Sequence, residues 1–249
     1  MAGPIVLELQ YLFVADWFVE TDEVLDEEVY LPAPEITGTM PMQVLPSGPG
    51  YDVENVQRLV LTERSLAREY SEADLSKHFK ANGSTNVTDP TYQQSAQTGF
   101  ADWRLEVGGL VERPVSLSLA ELRKLPARTQ ITRHDCVEGW SAIGKWGGVP
   151  FGDFLRRIDA DTTARYVGFK CADGYYSSVD MATALHPQTI LALTFRDETL
   201  PAEYGFPMKL RAPTKLGFKN PKHIMALYVT NTHPGGYWED QGYNWFSGS

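Results

Sequence analysis

The stretch HDCVEGWSAIGKWGGVP, residues 134–150, contains the feature on which the interpretation of this chain depends. Cys136 follows a short apolar strand predicted at Thr129 to Thr132, and ionisable side chains surround it: Arg133, His134, Asp135 and Glu138. A thiolate is a nucleophile and also a soft metal ligand. Because polar groups gathered at a strand end indicate a functional site, the pattern predicts a site at Cys136. The competing interpretation is a buried structural thiol, since free cysteine packs as a small hydrophobic residue.

Two other roles of Cys136 remain open at this point. A cysteine protease would need a histidine base, for which His134, His186 and His223 are candidates, but the sequence around Cys136 does not match a known nucleophile context. A disulfide between Cys136 and Cys171 would require an oxidising compartment. The chain has 2 cysteines, too few for a disulfide scaffold and without zinc-ligand spacing.

The composition is that of an ordinary globular chain, with 249 residues and a formal net charge of −10. This charge repels nucleic acid and anionic membrane surfaces, so nucleic-acid binding is excluded as the main function. The apolar stretch from Pro4 to Val19 is interrupted by Glu8 and Asp16, and no basic region precedes it. We therefore predict neither a membrane span nor a targeting segment in this stretch.

The sequence divides into two predicted regions. Residues 1–52 are acidic and then rich in proline and glycine, which predicts an arm without catalytic groups. Residues 53–249 begin with one or two amphipathic helices predicted between Val53 and Phe79. Short elements then follow without regular alternation, which predicts an α+β domain. The further predicted strands are Trp103 to Val107, Arg165 to Lys170, Thr189 to Phe195, Met208 to Ala212 and Ile224 to Thr230, and the predicted helices are Ser118 to Leu125, Phe151 to Ile158 and Val179 to Leu185.

Residues 134–150 resemble the signature of the molybdopterin-dependent oxidoreductases, the family that includes sulfite oxidase and a bacterial periplasmic methionine sulfoxide reductase. The likeness is closer to the bacterial branch and extends from about Phe79 to Ser249. It implies the sulfite oxidase catalytic-domain fold, with mixed β-sheets and short helices, and a molybdenum–molybdopterin cofactor (Moco). It also implies that the sulfur of Cys136 binds the molybdenum and that Glu138 lies near the metal and exchanges protons.

The same resemblance implies contacts to the pterin and its phosphate. The residues concerned are Asn82, Thr85, Asn86, Cys171, Tyr204, Lys209, Asn220, Pro221 and Lys222. The chain departs from the family pattern at Gly83, where sulfite oxidases often have histidine, at Cys171, which replaces a threonine, and at Lys209, which replaces an arginine. Lysine keeps the charge but loses the two-pronged geometry of arginine. The loop at 215–223 suits an anion, because it combines lysines with a glycine whose backbone can approach closely.

The activity that the resemblance implies is oxygen-atom transfer at molybdenum, as sulfite oxidation or sulfoxide reduction. Arg133, Arg211 and Lys215 are candidates for binding an anionic substrate, and Arg133 is the one we count as catalytic. Because the sequence has no haem, flavin or iron–sulfur motif, we expect a separate haem-type electron-transfer partner. A periplasmic location and a monomeric chain are further expectations. The alternative is a binding protein that keeps the fold without the cofactor.

Overall fold

The computed structural model describes residues 65–248. The arm at 1–52 and the predicted helical stretch before residue 65 lie outside the described residues. The described part contains ten strands: β1 Arg104–Gly109, β2 Val115–Ser118, β3 Arg128–Asp135, β4 Ser141–Pro150, β5 Tyr166–Cys171, β6 Tyr176–Asp180, β7 Ile190–Phe195, β8 Glu198–Thr199, β9 Lys209–Arg211 and β10 Ile224–Thr230. Its α-helices are α1 Pro90–Gln97, α2 Leu119–Leu122, α3 Phe151–Arg157 and α4 Met181–Leu185.

The strands form two sheets with short helices between and beside them. The first sheet has the order β2-β1-β10-β5-β6, in which β1 and β10 are parallel and all other neighbours are antiparallel. In the second sheet β3, β4, β7 and β8 follow one another antiparallel, and β9 also pairs with β7. The predicted mixed α+β architecture is confirmed. Within residues 65–248, no helix combines the length and apolarity needed to cross a membrane.

The predicted short helix after Ser118 begins where its capping pattern indicates. Glu121 N donates to Ser118 Oγ over 3.2 Å, and Ser118 N donates to Glu121 Oε2 over 2.8 Å. The helix predicted at Val179 to Leu185 starts later, because Val179 and Asp180 complete β6. Asp180 then accepts a hydrogen bond from Thr183 N over 2.6 Å and caps the helix.

The predicted amphipathic helix is wrong for residues 65–79. This stretch contains only the 3-10 turn Glu72–Asp74 and otherwise runs beside the second sheet. Tyr70 N donates to Ile131 O over 2.9 Å, and Ser76 N donates to Ile143 O over 3.1 Å. These sheet contacts replace helical hydrogen bonds, and Leu66, which the helical spacing assigned to a buried face, is 65% exposed.

An aromatic cluster fixes the end of this stretch against the second sheet. The ring of Phe79 is buried and meets the rings of Trp146 and Phe195 edge to face, each at 5.4 Å between centroids. Such pairs add to the burial of apolar area. The cluster therefore holds the chain just before Asn82 in a defined place.

Strand β4 lies at the centre of the second sheet, and its pairing with β7 requires a glycine at position 148. A Cβ atom at Gly148 would lie 2.0 Å from Leu191 O, so no other residue fits without moving the backbone. Strands β3 and β4 are joined by a short loop, and Cys136 is the first residue of this loop. The position of the cysteine thus depends on close packing between β4 and β7.

We expect Gly148→Ala to lower the free energy of unfolding by about 3 kcal/mol, because the added methyl group overlaps the backbone of β7. Urea unfolding of purified protein would measure this loss. Gly108→Ala is the matched control in β1, since a Cβ there has no neighbour within 4 Å. Equal stability of the two variants would contradict the packing argument.

Candidate active site

Cys136 lies in the loop that joins β3 to β4. Cys136 N donates to Trp140 O over 2.9 Å and Gly139 N donates to Cys136 O over 3.0 Å, so the loop is a closed turn. Gly139 has a φ of +83°, which favours glycine at this position. The cysteine is buried, and this burial raises the pKa of the Cys136 thiol above its usual range. A positive partner is needed to favour the thiolate.

Cys136 lines a cavity of about 350 Å³. Five stretches of chain supply the walls, at 82–84, 136–138, 173–175, 217–222 and 238–243. The lining combines aromatic rings, such as those of Phe218, Trp238 and Tyr243, with a few polar side chains. Pockets of this size and composition are typical of sites for cofactors and small ligands.

A group of buried cations lies in the segment that contributes Asn220, Pro221 and Lys222 to the cavity wall. All buried lysine and arginine side chains of the described residues lie between Lys209 and Lys222: Lys209, Arg211, Lys215, Lys219 and Lys222. Such side chains are almost never fully buried unless they are paired. Their concentration in one segment of a chain with a net charge of −10 indicates a site for an anion.

One member of this group is neutralised by a buried ion pair. Lys219 Nζ contacts Glu239 Oε1, and the two side chains are 1% and 4% exposed. Lys222 Nζ instead donates to two carbonyl oxygens, Ser84 O and, over 2.9 Å, Glu203 O. Burial lowers the pKa of Lys222 to about 8, and nearby carboxylates oppose this shift only in part.

Lys209 and Arg211 both lie on β9, and the charge of Arg211 acts on Lys209. Arg211 NH2 donates to Thr132 Oγ1 over 3.1 Å, and NH1 contacts Asn220 Oδ1 over 3.3 Å, so its partners are neutral. Burial, together with the charges of Lys222 and Arg211, holds the pKa of Lys209 well below its usual range. A bound anion would remove this repulsion.

Several buried polar atoms at this place have no hydrogen-bond partner among the described residues. They include both ring nitrogens of His134, Nε of Arg211 and Nε2 of His223. The pKa of His134 is held far below its usual range by burial and by Lys209 and Arg211, so its ring is neutral. Unmatched buried polar atoms cost free energy unless a ligand meets them.

Gly217 brings the backbone of the 215–223 loop close to the ring of His134. A Cβ at this position would lie 2.8 Å from His134 Nε2 and 3.2 Å from Asn82 Nδ2. Glycine thus lets the backbone of the 215–223 loop approach the histidine and Asn82 closely.

Comparison with protein families agrees with this geometry. Residues 91–238 match the family described as "Oxidoreductase molybdopterin binding domain". The chain belongs to this family. The resemblance seen at Cys136 is thereby confirmed, as is the assignment of the chain to a family of molybdopterin-binding oxidoreductase enzymes.

Among curated relatives, the "Putative protein-methionine-sulfoxide reductase subunit YedZ1" of Azospira oryzae is 58% identical over 194 residues, which are 78% of this chain and 72% of the relative. The protein-methionine-sulfoxide reductase catalytic subunit MsrP of Xanthomonas axonopodis pv. citri is 36% identical over 173 residues, 63% of this chain and 53% of the relative. The chain therefore spans about half the length of that MsrP.

Among solved structures, the sulfane dehydrogenase SoxCD from Paracoccus pantotrophus is similar with a TM-score of 0.50 and 22% identity. The match covers 53% of this chain and 39% of the other. At this identity the likeness concerns the fold alone. It agrees with the predicted sulfite oxidase-like fold, which the family match confirms.

Six of the residues predicted for this molybdopterin-binding site line the cavity: Asn82, Cys136, Glu138, Asn220, Pro221 and Lys222. Asn220 does so mainly as a brace for its own loop, because its amide accepts from Ala212 N over 2.8 Å and donates to Leu216 O over 2.9 Å. Tyr204 and Lys209 lie behind the lining. Tyr204 OH donates to Phe79 O over 2.7 Å and so supports the chain before Asn82.

Like Tyr204 and Lys209, four further predicted residues are not part of the lining. Arg133 lies on the face of β3 opposite His134, with its side chain 54% exposed and paired with Asp135 at 2.6 Å. Strand alternation explains this placement, since neighbours on a strand point to opposite faces. Thr85 and Asn86 are exposed on the loop after Ser84. Cys171 ends β5 and packs against the core of the first sheet, and neither cysteine is in a disulfide.

Glu138 is held as a carboxylate at the cavity edge. It accepts from Trp140 Nε1 over 2.8 Å and contacts Lys80 Nζ at 3.0 Å. These two contacts lower the pKa of Glu138 below its usual range. At neutral pH the group is therefore ionised and can accept a proton.

The sequence did not indicate that Asp173 and Tyr175 line the cavity. They lie in the turn between β5 and β6, where Cys171 N donates to Tyr175 O over 3.0 Å. Tyr175 OH donates to Phe218 O over 2.7 Å and so joins this turn to the 215–223 loop. The sequence ADGYY signals only a turn, because glycine after aspartate favours one.

The C-terminal residues close the other side of the cavity. Trp238 and Tyr243 belong to the lining, so the aromatic tail does border the site. Trp245 Nε1 donates to Ser178 Oγ over 2.8 Å, which ties the tail to β6. The buried pair of Lys219 and Glu239 attaches the tail to the basic loop as well.

We expect Glu239→Gln to lower the free energy of unfolding of the cofactor-free protein by about 3 kcal/mol, because it leaves the buried Lys219 without its counter-charge. Urea unfolding would measure the loss. The double variant with Lys219→Met should regain much of it, since the uncompensated charge is then removed. A single variant as stable as the parent would show that the pair is not needed to hold the tail.

Proposed function

We propose that the chain is a Moco-dependent oxidoreductase that reduces sulfoxides, with Cys136 as the protein ligand of the molybdenum. The observation that carries the proposal is a buried thiol at the wall of a cavity whose basic segment has five buried cations. A thiol and an anion site at one cavity match the two ends of Moco, a thiophilic metal and a phosphate.

The residues at the cavity fit this cofactor in three respects. The soft donor is Cys136, which suits molybdenum. The anion site is the segment from Lys209 to Lys222, whose charges would neutralise a phosphate. The polar edge of a pterin would meet Asn82 and the backbone at Gly217, which both line the cavity. Cofactor binding would thus offset the repulsion among the buried cations.

When bound, Moco supplies two-electron redox chemistry with transfer of one oxygen atom. The chain's own contribution starts with Cys136, where burial raises the pKa of the thiol and the charges of Lys80 and Lys209 offset part of this effect. The ring of Trp146 lies 5.4 Å from the ammonium group of Lys209 and helps to hold it in place. Glu138 lies two residues further along the chain and holds a carboxylate at the edge of the same cavity.

In this proposal Glu138 takes up protons from solvent and passes them into the cavity, because sulfoxide reduction consumes protons as the oxygen leaves as water. Its hydrogen bond from Trp140 and its ion pair with Lys80 fix the carboxylate at the cavity edge. A carboxylate that is ionised at rest must take up a proton before it can give one. Water reaches it easily, since its side chain is 54% exposed.

Charge at the cavity favours a neutral sulfoxide over sulfite as substrate. Among the described residues that line the cavity, Lys222 carries the only positive side chain, and its ammonium is engaged by two carbonyl groups. Glu138 and Asp173 add negative charge. The sequence candidates for an anionic substrate do not contribute to the lining, since Arg133 points away and Lys215 Nζ donates to Phe246 O over 2.8 Å.

The similarity to proteins named as subunits of protein-methionine-sulfoxide reductase supports the same direction of reaction and a multi-subunit system. We therefore propose a separate haem-type partner as electron source, and a periplasmic location. The rival function, binding without cofactor, would leave the repulsion among the buried Lys209, Arg211 and Lys222 without an anion to offset it.

We expect protein from cells that make Moco to contain about one molybdenum per chain and to reduce methionine sulfoxide with an artificial reductant. Cys136→Ser should lower this turnover at least about 100-fold, because an alcohol is a much poorer ligand than a thiolate. Elemental analysis and single-turnover assays would measure both quantities. Cys171→Ser is the matched control and should keep the metal.

A Cys136→Ser protein with full metal content and turnover would overturn the ligand assignment. Parent protein without molybdenum would support the cofactor-free rival. Parent protein that contains the metal and oxidises sulfite, but reduces no sulfoxide, would overturn the direction of the reaction.

A further inference from the structure

Trp140 closes the loop that begins at Cys136 and also contacts the side chain of Glu138. Its carbonyl oxygen accepts from Cys136 N over 2.9 Å, and its Nε1 donates to Glu138 Oε2 over 2.8 Å. The main-chain bond fixes the loop at the cysteine, whereas the side-chain bond fixes the carboxylate. Trp140 therefore contacts both the residue proposed as metal ligand and the residue proposed to carry protons.

The indole ring of Trp140 is itself held by two other rings. It meets Phe79 edge to face at 6.4 Å between centroids and lies tilted on His134 at 5.7 Å. Both of these neighbours are buried. Because their packing restricts the indole ring, its N–H donor has a defined direction. A glutamate side chain that is 54% exposed, as in Glu138, would otherwise sample several rotamers.

Lys80 contacts the same oxygen atom of Glu138. Its Nζ lies 3.0 Å from Glu138 Oε2 and 5.5 Å from the centre of the Trp140 ring, so the three side chains form one group. Ion pairs between exposed side chains contribute little on their own, and the Lys80 side chain is 64% exposed. We therefore expect the bond from Trp140 to be the stronger restraint and Lys80 to be a weaker one.

The two oxygen atoms of Glu138 have different surroundings. Both donors use Oε2, and within residues 65–248 no hydrogen-bond donor contacts Oε1. A carboxylate oxygen that already accepts two hydrogen bonds has its lone pairs in use, whereas the other oxygen can still take a proton. Since Glu138 lines the cavity, the arrangement restrains the carboxylate and leaves one of its oxygens available there.

We infer that Trp140 and Lys80 are positioning residues for Glu138: they hold one carboxylate oxygen in place so that the other can pass protons from solvent into the cavity. The inference rests on the proposed function, in which Glu138 passes on protons, a reductant supplies the electrons, and the sulfoxide oxygen leaves as water. Neither Trp140 nor Lys80 needs to touch the substrate. The competing explanation is that Trp140 only packs against Phe79 and that Lys80 is only a surface charge.

The test separates the hydrogen bond of Trp140 from its packing. Trp140→Phe keeps a ring against Phe79 and loses the donor, and Lys80→Met keeps the aliphatic stem and loses the charge. The assay uses molybdenum-loaded protein, methionine sulfoxide and a small artificial reductant. We expect kcat per bound molybdenum to fall about 10-fold in Trp140→Phe and about 3-fold in Lys80→Met. KM should change by less than about 2-fold, because the hydrogen bond acts on proton transfer and not on substrate binding.

A double-mutant cycle with Glu138→Gln decides between the two explanations. An amide cannot carry the proton, so Glu138→Gln should itself lower kcat about 100-fold. In that background Trp140→Phe should lower kcat further by less than about 2-fold, because the group that Trp140 positions no longer functions. A packing role of Trp140 would instead give the same fold-loss in both backgrounds.

Two matched controls change the same residue types elsewhere. Trp103→Phe also removes an indole donor, which contacts Met225 Sδ over 3.1 Å in the core of the first sheet. Lys77→Met removes an exposed ammonium group from the same stretch of chain as Lys80. Both controls should keep the kcat of the parent protein.

A crystal structure of Trp140→Phe gives a readout that does not depend on turnover. We expect the Glu138 carboxylate to change its rotamer, because its indole donor is gone. The backbone of the loop should stay in place, since Cys136 N can still donate to the carbonyl oxygen of residue 140. A carboxylate that keeps its position would overturn the role of Trp140.

The kinetic outcomes separate the inference from the proposed function. An unchanged kcat in Trp140→Phe, or the same fold-loss with and without Glu138→Gln, would overturn the inference and leave the proposed function intact. An unchanged kcat in Lys80→Met would overturn the role of Lys80. Full turnover in Glu138→Gln would overturn the proton role of Glu138, and the inference with it. A loaded parent protein that reduces no sulfoxide would overturn the proposed function itself.

Discussion

The burial of positive charge between Lys209 and Lys222 is the constraint on which the rest of this structure depends. Desolvation disfavours an ammonium or guanidinium group in a protein interior, and like charges close together add to the cost. The lowered pKa values of Lys209 and Lys222 show that neighbouring residues compensate this cost incompletely. A bound anion would supply the missing counter-charge and so lower this free-energy cost.

Much of the architecture serves to hold this segment. The second sheet presents β9, which carries Lys209 and Arg211, next to β7. The side chain of Asn220 bonds to Ala212 N and Leu216 O, so the loop keeps its shape without the ligand. The tail adds Glu239, a carboxylate whose burial is explained only by its contact with Lys219. Pre-organised groups bind a ligand better because less freedom is lost on binding.

The sequence was most informative where one residue type has few structural explanations. Cys136 and Lys222, which local pattern and resemblance assigned to one site, both line the cavity. Sequence reasoning failed where packing decides. The spacing at Leu66 and Leu75 suggested a helix, but sheet contacts through Tyr70 and Ser76 determine the conformation of that stretch.

The positions of single side chains show the same division. Arg133 was predicted at the site because it lies close to Cys136 in sequence, yet strand alternation turns it to the opposite face. His134, its neighbour, is buried against Phe79 and Trp140 instead. Asp173 and Tyr175 are brought to the cavity by a contact with Phe218, more than forty residues away in sequence. No local pattern carries that information.

The contrast between the two ends of the cavity explains how one site can serve two kinds of ligand. Next to the lining, the fully buried Arg211 contacts Asn220, and the charge of Lys209 acts on Cys136. Elsewhere the lining is aromatic, with Phe218, Trp238 and Tyr243. In the proposed function, these cations would hold an anionic cofactor by charge. The substrate would meet a lining in which Glu138 and Asp173 outnumber Lys222. Such a cavity would retain the cofactor without trapping a neutral substrate or product.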